Sequence, residues 1–178
     1  MKAIVQEGAE ILRSVANPVP KELFGTPELA KMLKDMETAL DKELDGVALA
    51  APQISIPYRI FIVRKDRTVP QPERAPGDPR VQGVEPIVDV YINPEIVKTS
   101  RKRARADEGC LSVRGIYGVT SRHERATVKA QTPDGKKFER GGGDLLAQIF
   151  EHEIDHLNGI LFIDHAENLV EVNLTPNE

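Results

Sequence analysis

The chain has 178 residues, which is the size of one domain with a substantial hydrophobic core. Its net charge of -4 argues against general nucleic-acid binding, and no apolar run reaches the ~20 residues that a membrane-spanning helix needs. Residues 1–12 lack the charged start and long apolar core of a secretory leader. We therefore expect a cytoplasmic protein with no membrane segment and no specific nucleic-acid site.

The first part of the chain predicts one amphipathic helix followed by a strand. Thr26 offers a capping hydroxyl, and Pro27 suits the first helical position. Residues 59–64 are mostly β-branched or aromatic and predict a strand. Residues 64–86 are rich in proline and charge and predict an inserted surface loop or weak hairpin. The apolar positions that give the helix its periodicity are Leu29, Leu33, Met36 and Leu40.

The middle of the chain predicts several short strands. Two extended pieces are expected within residues 88–97, around an Asn-Pro pair. The basic run 101–105 predicts a solvated strand end or loop. Further strands are expected within residues 113–140, separated by a Pro-Asp-Gly turn at residues 133–135.

The last part predicts a second helix and a tail. Three glycines at 141–143 predict a flexible break, after which Asp144 is expected to cap a helix that ends near Asn158 and Gly159. A short tail follows from about residue 164. We predict a single α+β domain over residues 1–178, with antiparallel β-sheets packed around this second helix as a central element.

The second helix carries an HExxH pattern. His152 and His156 are four positions apart, so both rings lie on one helix face and can reach one metal ion. Glu153 stands where it can hold a water molecule bound to the ion and take its proton. Buried histidines and carboxylates need partners, and a metal ion satisfies them together. The flanking apolar residues that predict burial are Leu145, Leu146, Ile149, Phe150, Ile154 and Leu157.

A third protein ligand is needed, because catalytic zinc-type sites usually have three and keep one position open. The extended pattern HExxHxxGxxH fails, since Phe162 stands at the last position. Glu167 and Glu171 are downstream carboxylate candidates. Cys110 is the single cysteine, so it cannot form an intramolecular disulfide, and its thiolate suits zinc or ferrous iron. The residues by themselves leave these alternatives open.

Three separated segments combine small or apolar residues with polar functional groups: GVALAAPQ at 46–53, EGCLS at 108–112 and EHEIDH at 151–156. Together these segments resemble those of the peptide deformylase family. The family carries G-x-G-x-A-A-P-Q, E-G-C-x-S and Q-H-E-x-D-H in the same order. The resemblance runs from residue 4 to about residue 164 and therefore covers nearly the whole chain.

The chain departs from the family pattern at three places in or beside these segments. Ala48 replaces the second glycine of the first segment, and Glu151 replaces the glutamine before the HExxH residues. Arg114 stands where a proline commonly follows the cysteine segment. These changes concern the rim of the expected substrate groove and leave every expected ligand, base and amide in place.

The resemblance implies a metal-dependent hydrolase that removes the N-formyl group from the formyl-methionine of new polypeptides and releases formate. Its expected partners are nascent N-formyl-methionyl polypeptides, with the ribosome as the place of encounter. It also implies that Cys110, His152 and His156 hold one divalent metal ion per chain. The implied ion is Fe²⁺, with Zn²⁺, Ni²⁺ or Co²⁺ able to occupy the same site.

The resemblance implies catalytic roles for three further groups. Glu153 would take a proton from water and deliver it to the leaving amine. The side-chain amide of Gln53 and the backbone N–H of Leu111 would donate hydrogen bonds to the oxyanion that forms from the formyl oxygen.

Substrate binding is expected around segment 46–49, the cysteine segment and the second helix. Leu145 and Ile149 precede His152 by seven and three residues, on the helix face that carries the ligands. We expect them to form an apolar methionine pocket with the side chains at 47 and 49. The full set of expected substrate-binding residues is Gly46, Val47, Ala48, Leu49, Glu108, Gly109, Leu145 and Ile149.

Two alternative functions come from other classes. The first is a metallopeptidase that cleaves internal peptide bonds, with His165 or Glu167 as the third ligand. The second is a catalytically silent formyl-peptide-binding homologue. The presence of Glu153 and Gln53 argues against silence, since binding alone requires neither a base nor a second oxyanion donor.

Overall fold

The computed structural model describes residues 2–68 and 87–172. Most of the expected insertion at 64–86 and the last six residues therefore lie outside the described part. The first segment of that insertion is not a loop, because residues 65–68 form a short helix. The helices are α1 (Pro27–Asp41), α2 (Lys65–Thr68) and α3 (Asp144–Leu157). The strands are β1 (Ala48–Ala50), β2 (Ile60–Arg64), β3 (Val88–Thr99), β4 (Arg103–Cys110), β5 (Val113–His123), β6 (Arg125–Gln131), β7 (Lys137–Gly143) and β8 (Glu167–Glu171).

Two antiparallel sheets organise these strands. The first has the order β1-β2-β3-β6-β7, and the second has the order β4-β5-β8. α3 contacts strands of both sheets. The single α+β domain with antiparallel sheets is confirmed, whereas the central placement of the HExxH helix stays a prediction. No helix in the described residues has both the length and the apolar character to cross a bilayer.

Alternation along β2 explains how the first sheet has a helix on each face. Phe61 and Val63 point into a core shared with α3, whereas Ile60 and Ile62 point into a core shared with α1. Phe61 stacks on Tyr91 with ring centroids 4.5 Å apart. All five β2 residues are buried, as a central strand between two helical layers requires.

α1 forms as the sequence predicts. The side chain of Thr26 accepts a hydrogen bond from the backbone N–H of Leu29, and Pro27 begins the helix. The four periodic apolar residues at 29, 33, 36 and 40 are all buried. The helix therefore covers the outer face of the first sheet with its apolar stripe.

The region 88–99 is one strand instead of two extended pieces. β3 pairs with β2 on one side and with β6 on the other, and its register shifts between Ile92 and Glu95. Asn93 lies in this irregular stretch with a φ of 50°, and its side chain exchanges hydrogen bonds with the backbone of Val19. The Asn-Pro pair thus makes an irregularity inside a continuous strand and does not end it. The predicted turn at 133–135 is confirmed between β6 and β7.

Two predictions about the start of α3 were wrong. The glycines at 141–143 are not a break, because they end β7 and pair with residues 125–127 of β6. A Cβ on Gly142 would lie 2.7 Å from the side chain of Leu146, so glycine permits close helix packing there. Asp144 is the first helical residue and its side chain does not cap the helix; Gly143 is the cap residue. The predicted end is confirmed, since Asn158 caps α3 and Gly159 follows with a φ of 74°.

The segment after residue 164 contains a strand. β8 pairs antiparallel with β5 and forms the edge of the second sheet. The basic run at 101–105 is exposed, and its last three residues begin β4, in agreement with a solvated strand end.

Candidate metal centre and cleft

Cys110, His152 and His156 meet in space although the cysteine is some forty residues from the histidines along the chain. One ligand atom from each lies within 4.8 Å of the others. The Sγ of Cys110 is 3.1 Å from Nε2 of His156. Of the alternatives, Glu167 instead pairs with Arg105 at the surface. His165 lies beside Asp155, with its Nε2 3.5 Å from the carboxylate.

The β4–β5 connection delivers the cysteine. The register of the two strands shifts between Gly109 and Cys110, which turns the thiol toward α3. A Cβ on Gly109 would lie 2.7 Å from the Tyr117 ring, so a larger residue here would require the half-exposed tyrosine to move. The backbone N–H of Ser112 donates to the Cys110 sulfur at 3.4 Å. The Ser112 N–H therefore helps to hold the sulfur in place.

His152 is held by a buried network of charged residues. Its Nδ1 is 2.5 Å from Oε1 of Glu108, an arrangement that leaves Nε2 free to bind a metal ion. Glu108 also accepts hydrogen bonds from Nη2 of Arg122 at 2.6 Å and from the hydroxyl of Thr120 at 2.6 Å. Nη1 of Arg122 donates to Asp155 at 2.7 Å. The ion pair of Glu108 with Arg122 is therefore buried.

The electrostatic effect of this network is clear at Glu108. Burial opposes ionisation of its carboxyl group, but hydrogen bonds from His152 and Arg122 hold its pKa well below the usual range. Burial lowers the pKa of Arg122, yet the bonds to Glu108 and Asp155 raise it above its ordinary value. Glu108 is thus engaged on both oxygens. It holds the His152 ring and also lines the cavity beside this centre, so its part in substrate binding stays a prediction.

The opposite side of the centre has polar atoms without partners. Among the described residues, Oε2 of Glu153 and Nδ1 of His156 are buried and have no hydrogen bond. Burial raises the pKa of Glu153 to about 7. Burial also lowers the pKa of His156 well below its usual value. Nε2 of His156 faces the Cys110 sulfur, so the ring can give this nitrogen to an ion that Cys110 and His152 also bind, and the unpaired oxygen of Glu153 can bind a water molecule.

Gln53 reaches the same centre from the first sheet. It lies in a 3₁₀ turn, Ala51–Ile54, directly after β1. Its Oε1 accepts the backbone N–H of Ala50 at 2.8 Å, so Nε2 faces the centre. Nε2 is 3.1 Å from the hydroxyl of Ser112 and 3.7 Å from the sulfur of Cys110. Ser112 was missed as a site residue, although its place in the cysteine segment was a usable signal.

A cleft of about 430 Å³ opens onto the centre. We use "the cleft" for this cavity. It is lined by the three metal-site neighbours Gln53, Leu111 and Glu153, together with Cys110 and His152. Most of the expected substrate-binding residues also line it, namely Gly46, Val47, Ala48, Glu108, Gly109, Leu145 and Ile149.

Leu49 is the exception among the expected pocket residues. Its side chain is fully buried and packs in the core beneath α1, away from the cleft. The reason is strand alternation: successive side chains of β1 point to opposite faces of the sheet, and Ala48 and Ala50 belong to the α3 side. Leu49 is therefore a core residue and not a wall of the methionine pocket.

An α+β fold in which a cysteine and two histidines meet beside a cleft is typical of a metal-dependent hydrolase. Comparison with known proteins makes the assignment specific. The sequence profile of the polypeptide deformylase family matches residues 1–172. The peptide deformylase of Thermomicrobium roseum is 38% identical over 178 residues, which cover 100% of this chain and 93% of that protein. That of Hydrogenovibrio crunogenus is 38% identical over 160 residues, covering 90% and 82%.

Solved structures of peptide deformylases are also similar to this chain. The Met-Ala-Ser-bound class I type b peptide deformylase of Acinetobacter baumannii superposes with a TM-score of 0.78 at 33% identity, covering 93% of this chain and 99% of that one. A peptide deformylase from Legionella pneumophila gives a TM-score of 0.76 at 34% identity, covering 94% and 87%. The chain belongs to the polypeptide deformylase family.

Proposed function

We propose that this protein removes the formyl group from N-formyl-methionyl peptides and releases formate. The observation that carries the proposal is the meeting of Cys110, His152 and His156 beside Glu153 at the cleft, in a chain of the polypeptide deformylase family. We place the activity in the cytoplasm, on nascent chains at the ribosome. The Met-Ala-Ser-bound relative supports the choice of peptide.

The three ligands would hold one divalent ion. A thiolate with two imidazoles accepts ferrous iron as well as zinc, and we propose Fe²⁺ as the working ion. When bound, the ion supplies Lewis acidity and lowers the pKa of a coordinated water molecule. The chain contributes the orientation of the ligands, because Glu108 fixes the His152 ring and the Ser112 backbone supports the thiolate.

Glu153 would act as the general base and acid. Its carboxylate is buried beside His152, lines the cleft and has one oxygen without a partner. A carboxyl group with a pKa of about 7 exchanges protons readily near neutral pH. It would take the proton of the attacking water and deliver it to the methionine nitrogen as the formamide bond breaks.

Gln53 and Leu111 would stabilise the oxyanion that the formyl oxygen becomes. The amide of Gln53 is oriented by Ala50, so its N–H groups are aimed at the centre before the substrate arrives. Leu111 directly follows Cys110 and lines the cleft. Loss of one such donor costs ~3 kcal/mol of transition-state stabilisation.

The peptide would lie along β1. β1 is the edge strand of the first sheet, and Gly46, Val47 and Ala48 line the cleft beside it. An edge strand offers backbone groups with which an extended peptide can pair. Ile149 and Leu145 would then meet the methionine side chain from the α3 side.

Formate release from formyl-Met-Ala-Ser tests the proposal, with metal analysis of protein purified without oxygen. We expect one metal ion per chain and faster turnover with Fe²⁺ than with Zn²⁺. Air should inactivate the iron form, and catalase should slow this loss, since peroxide can oxidise the thiolate ligand. A metal-loaded protein that releases no formate would refute the proposal. An air-stable zinc form of equal speed would refute the choice of iron.

A further inference from the structure

An ion pair joins the two walls of the cleft at some distance from the metal ligands. Nη2 of Arg114, at the start of β5, is 2.8 Å from Oε1 of Glu43, in the loop after α1. Both residues line the cleft that also contains Cys110 and Glu153. A peptide whose formyl end reaches the metal centre therefore shares this space with the ion pair.

Both partners of this pair are anchored. The backbone carbonyl oxygens of Glu43 and Gly46 accept hydrogen bonds from Nη1 of Arg67, at 2.7 and 2.6 Å. On the other wall, the backbone N–H of Arg114 donates to Oε1 of Gln6 at 3.4 Å. Gln6 in turn donates to the carbonyl of Leu111 at 3.0 Å, so Arg114 is positioned relative to the proposed oxyanion donor.

Arg114 retains capacity for a second partner. Its side chain is 45% exposed, whereas that of Glu43 is 21% exposed. Within the described residues, Glu43 is its one ion-pair partner and engages one guanidinium nitrogen. A guanidinium carries five N–H donors, so an arriving carboxylate can bind Arg114 without displacing Glu43.

The remaining charges at the mouth of the cleft are acidic. Asp45 and Asp107 also line it and are exposed, and neither forms an ion pair within the described part of the chain. Without Arg114, three carboxylates would repel an acidic peptide, because a cleft lined by one sign of charge concentrates its field. Arg114 stands where the family resemblance leads us to expect an uncharged proline.

We propose that Arg114 is a specificity-determining residue that lets the cleft accept peptides with an acidic residue shortly after the formyl-methionine. This inference rests on the proposed function. Glu43 holds the guanidinium over the cleft and partly offsets its charge. The ion pair between Arg114 and an acidic peptide side chain would be partly exposed to solvent. We therefore expect it to change the ratio of kcat/KM between acidic and basic peptides by only about two- to fivefold.

The test compares C-terminally amidated formyl-Met peptides that differ only in carrying Glu or Lys at the second or at the third residue. Metal-loaded wild-type, Arg114→Gln and Glu43→Gln proteins are assayed for kcat/KM. The ratio of the Glu peptide to the Lys peptide should fall about two- to fivefold in Arg114→Gln and rise in Glu43→Gln. Both shifts should shrink in 0.5 M salt, where the screening length is only a few ångströms, on the order of 4 Å.

Arg140→Gln is the matched control. Arg140 has a similarly exposed side chain, at 42%, and faces Asp89 outside the cleft, so the same change of net charge should leave the ratio as in the wild type. An unchanged ratio in Arg114→Gln, or an equal shift in Arg140→Gln, would overturn the inference. If the wild type released formate from none of the peptides, the proposed function itself would fail.

Discussion

The two sides of the metal centre solve the problem of buried polar groups differently. On one side, Glu108 and Arg122 of the second sheet pair with His152 and Asp155 of α3 through short hydrogen bonds. On the other side, Glu153 and His156 of α3 each have a buried polar atom without a partner among the described residues. The first side is fully paired within the chain, whereas Glu153 on the second side keeps an oxygen with which a water molecule can pair.

This difference separates the side chains that orient a ligand from the side chains that can take part in the reaction. A fully paired network is rigid and can orient a ligand, because every member loses a partner if one moves. Unpaired buried groups are costly, and they persist at sites that bind something. The following four changes test the contrast, from the largest expected effect to the smallest.

Cys110→Ala should abolish tight metal binding and nearly all formate release. Only Cys110 completes a three-ligand set with His152 and His156 in the described structure. Metal content per chain and turnover measure the effect. His165→Ala is the control, since His165 belongs to the rival ligand set and should keep the metal. Loss of metal in the control and its retention in Cys110→Ala would reverse the assignment.

Glu153→Gln should keep the metal and lower kcat for formate release by about 10²- to 10⁴-fold, as expected for loss of a general base. Glu151→Gln provides a neighbouring buried control. Glu151 binds His123 and lies away from the cleft, so its substitution should cost far less. Metal content that fell in step with activity in Glu153→Gln would instead make Glu153 a ligand.

In the metal-free protein, the contributions of Glu153 and Glu108 to the free energy of unfolding should change with pH in opposite directions. Burial raises the pKa of Glu153 from 4.5 to about 7, so between these values the folded state holds more protons than the unfolded chain. Stability therefore falls as the pH rises through this range, by up to about 3 kcal/mol. Glu108 has a lowered pKa, so its contribution is present above the unfolded pKa and is lost as the pH falls below it.

Urea unfolding of metal-free wild-type and Glu153→Gln proteins from pH 4.5 to 8 measures the Glu153 contribution. The difference in unfolding free energy between the two proteins should change with pH, because the glutamine does not titrate. A difference that stayed constant would show that Glu153 pays no desolvation cost, and the contrast between the two sides would be wrong.

Ile149→Phe should lower kcat/KM for formyl-Met peptides, with the metal still bound. The expected loss corresponds to ~1–3 kcal/mol of transition-state binding free energy. Ile149 lines the cleft on the turn of α3 before His152, where a larger ring would narrow the methionine pocket. Formyl-Ala peptides supply the comparison, since their side chain does not need the narrowed space. An equal loss for both peptides would place Ile149 in the core.

Local patterns predicted the two long helices, α1 and α3, but not β4, the strand that carries Cys110. Helical periodicity placed α1, and the two histidines four positions apart located the ligand face of α3. These features depend on neighbours within one or two turns, which a sequence displays directly. The predictions were wrong where hydrogen bonds to a strand elsewhere in the chain determine the secondary structure. The glycines at 141–143 have little strand preference, yet β6 supplies their hydrogen-bond partners.

The sequence alone determined which residue types were available: one thiol, two histidines at helical spacing, a carboxylate between them and an amide after a small apolar strand. Only the tertiary structure decided which of them meet. It brought Cys110 from the second sheet to α3, turned Leu49 into the core and engaged Glu108 with Arg122. The physical reason is that strand alternation, register shifts and burial act between segments far apart in the chain, whereas sequence patterns report mainly on near neighbours.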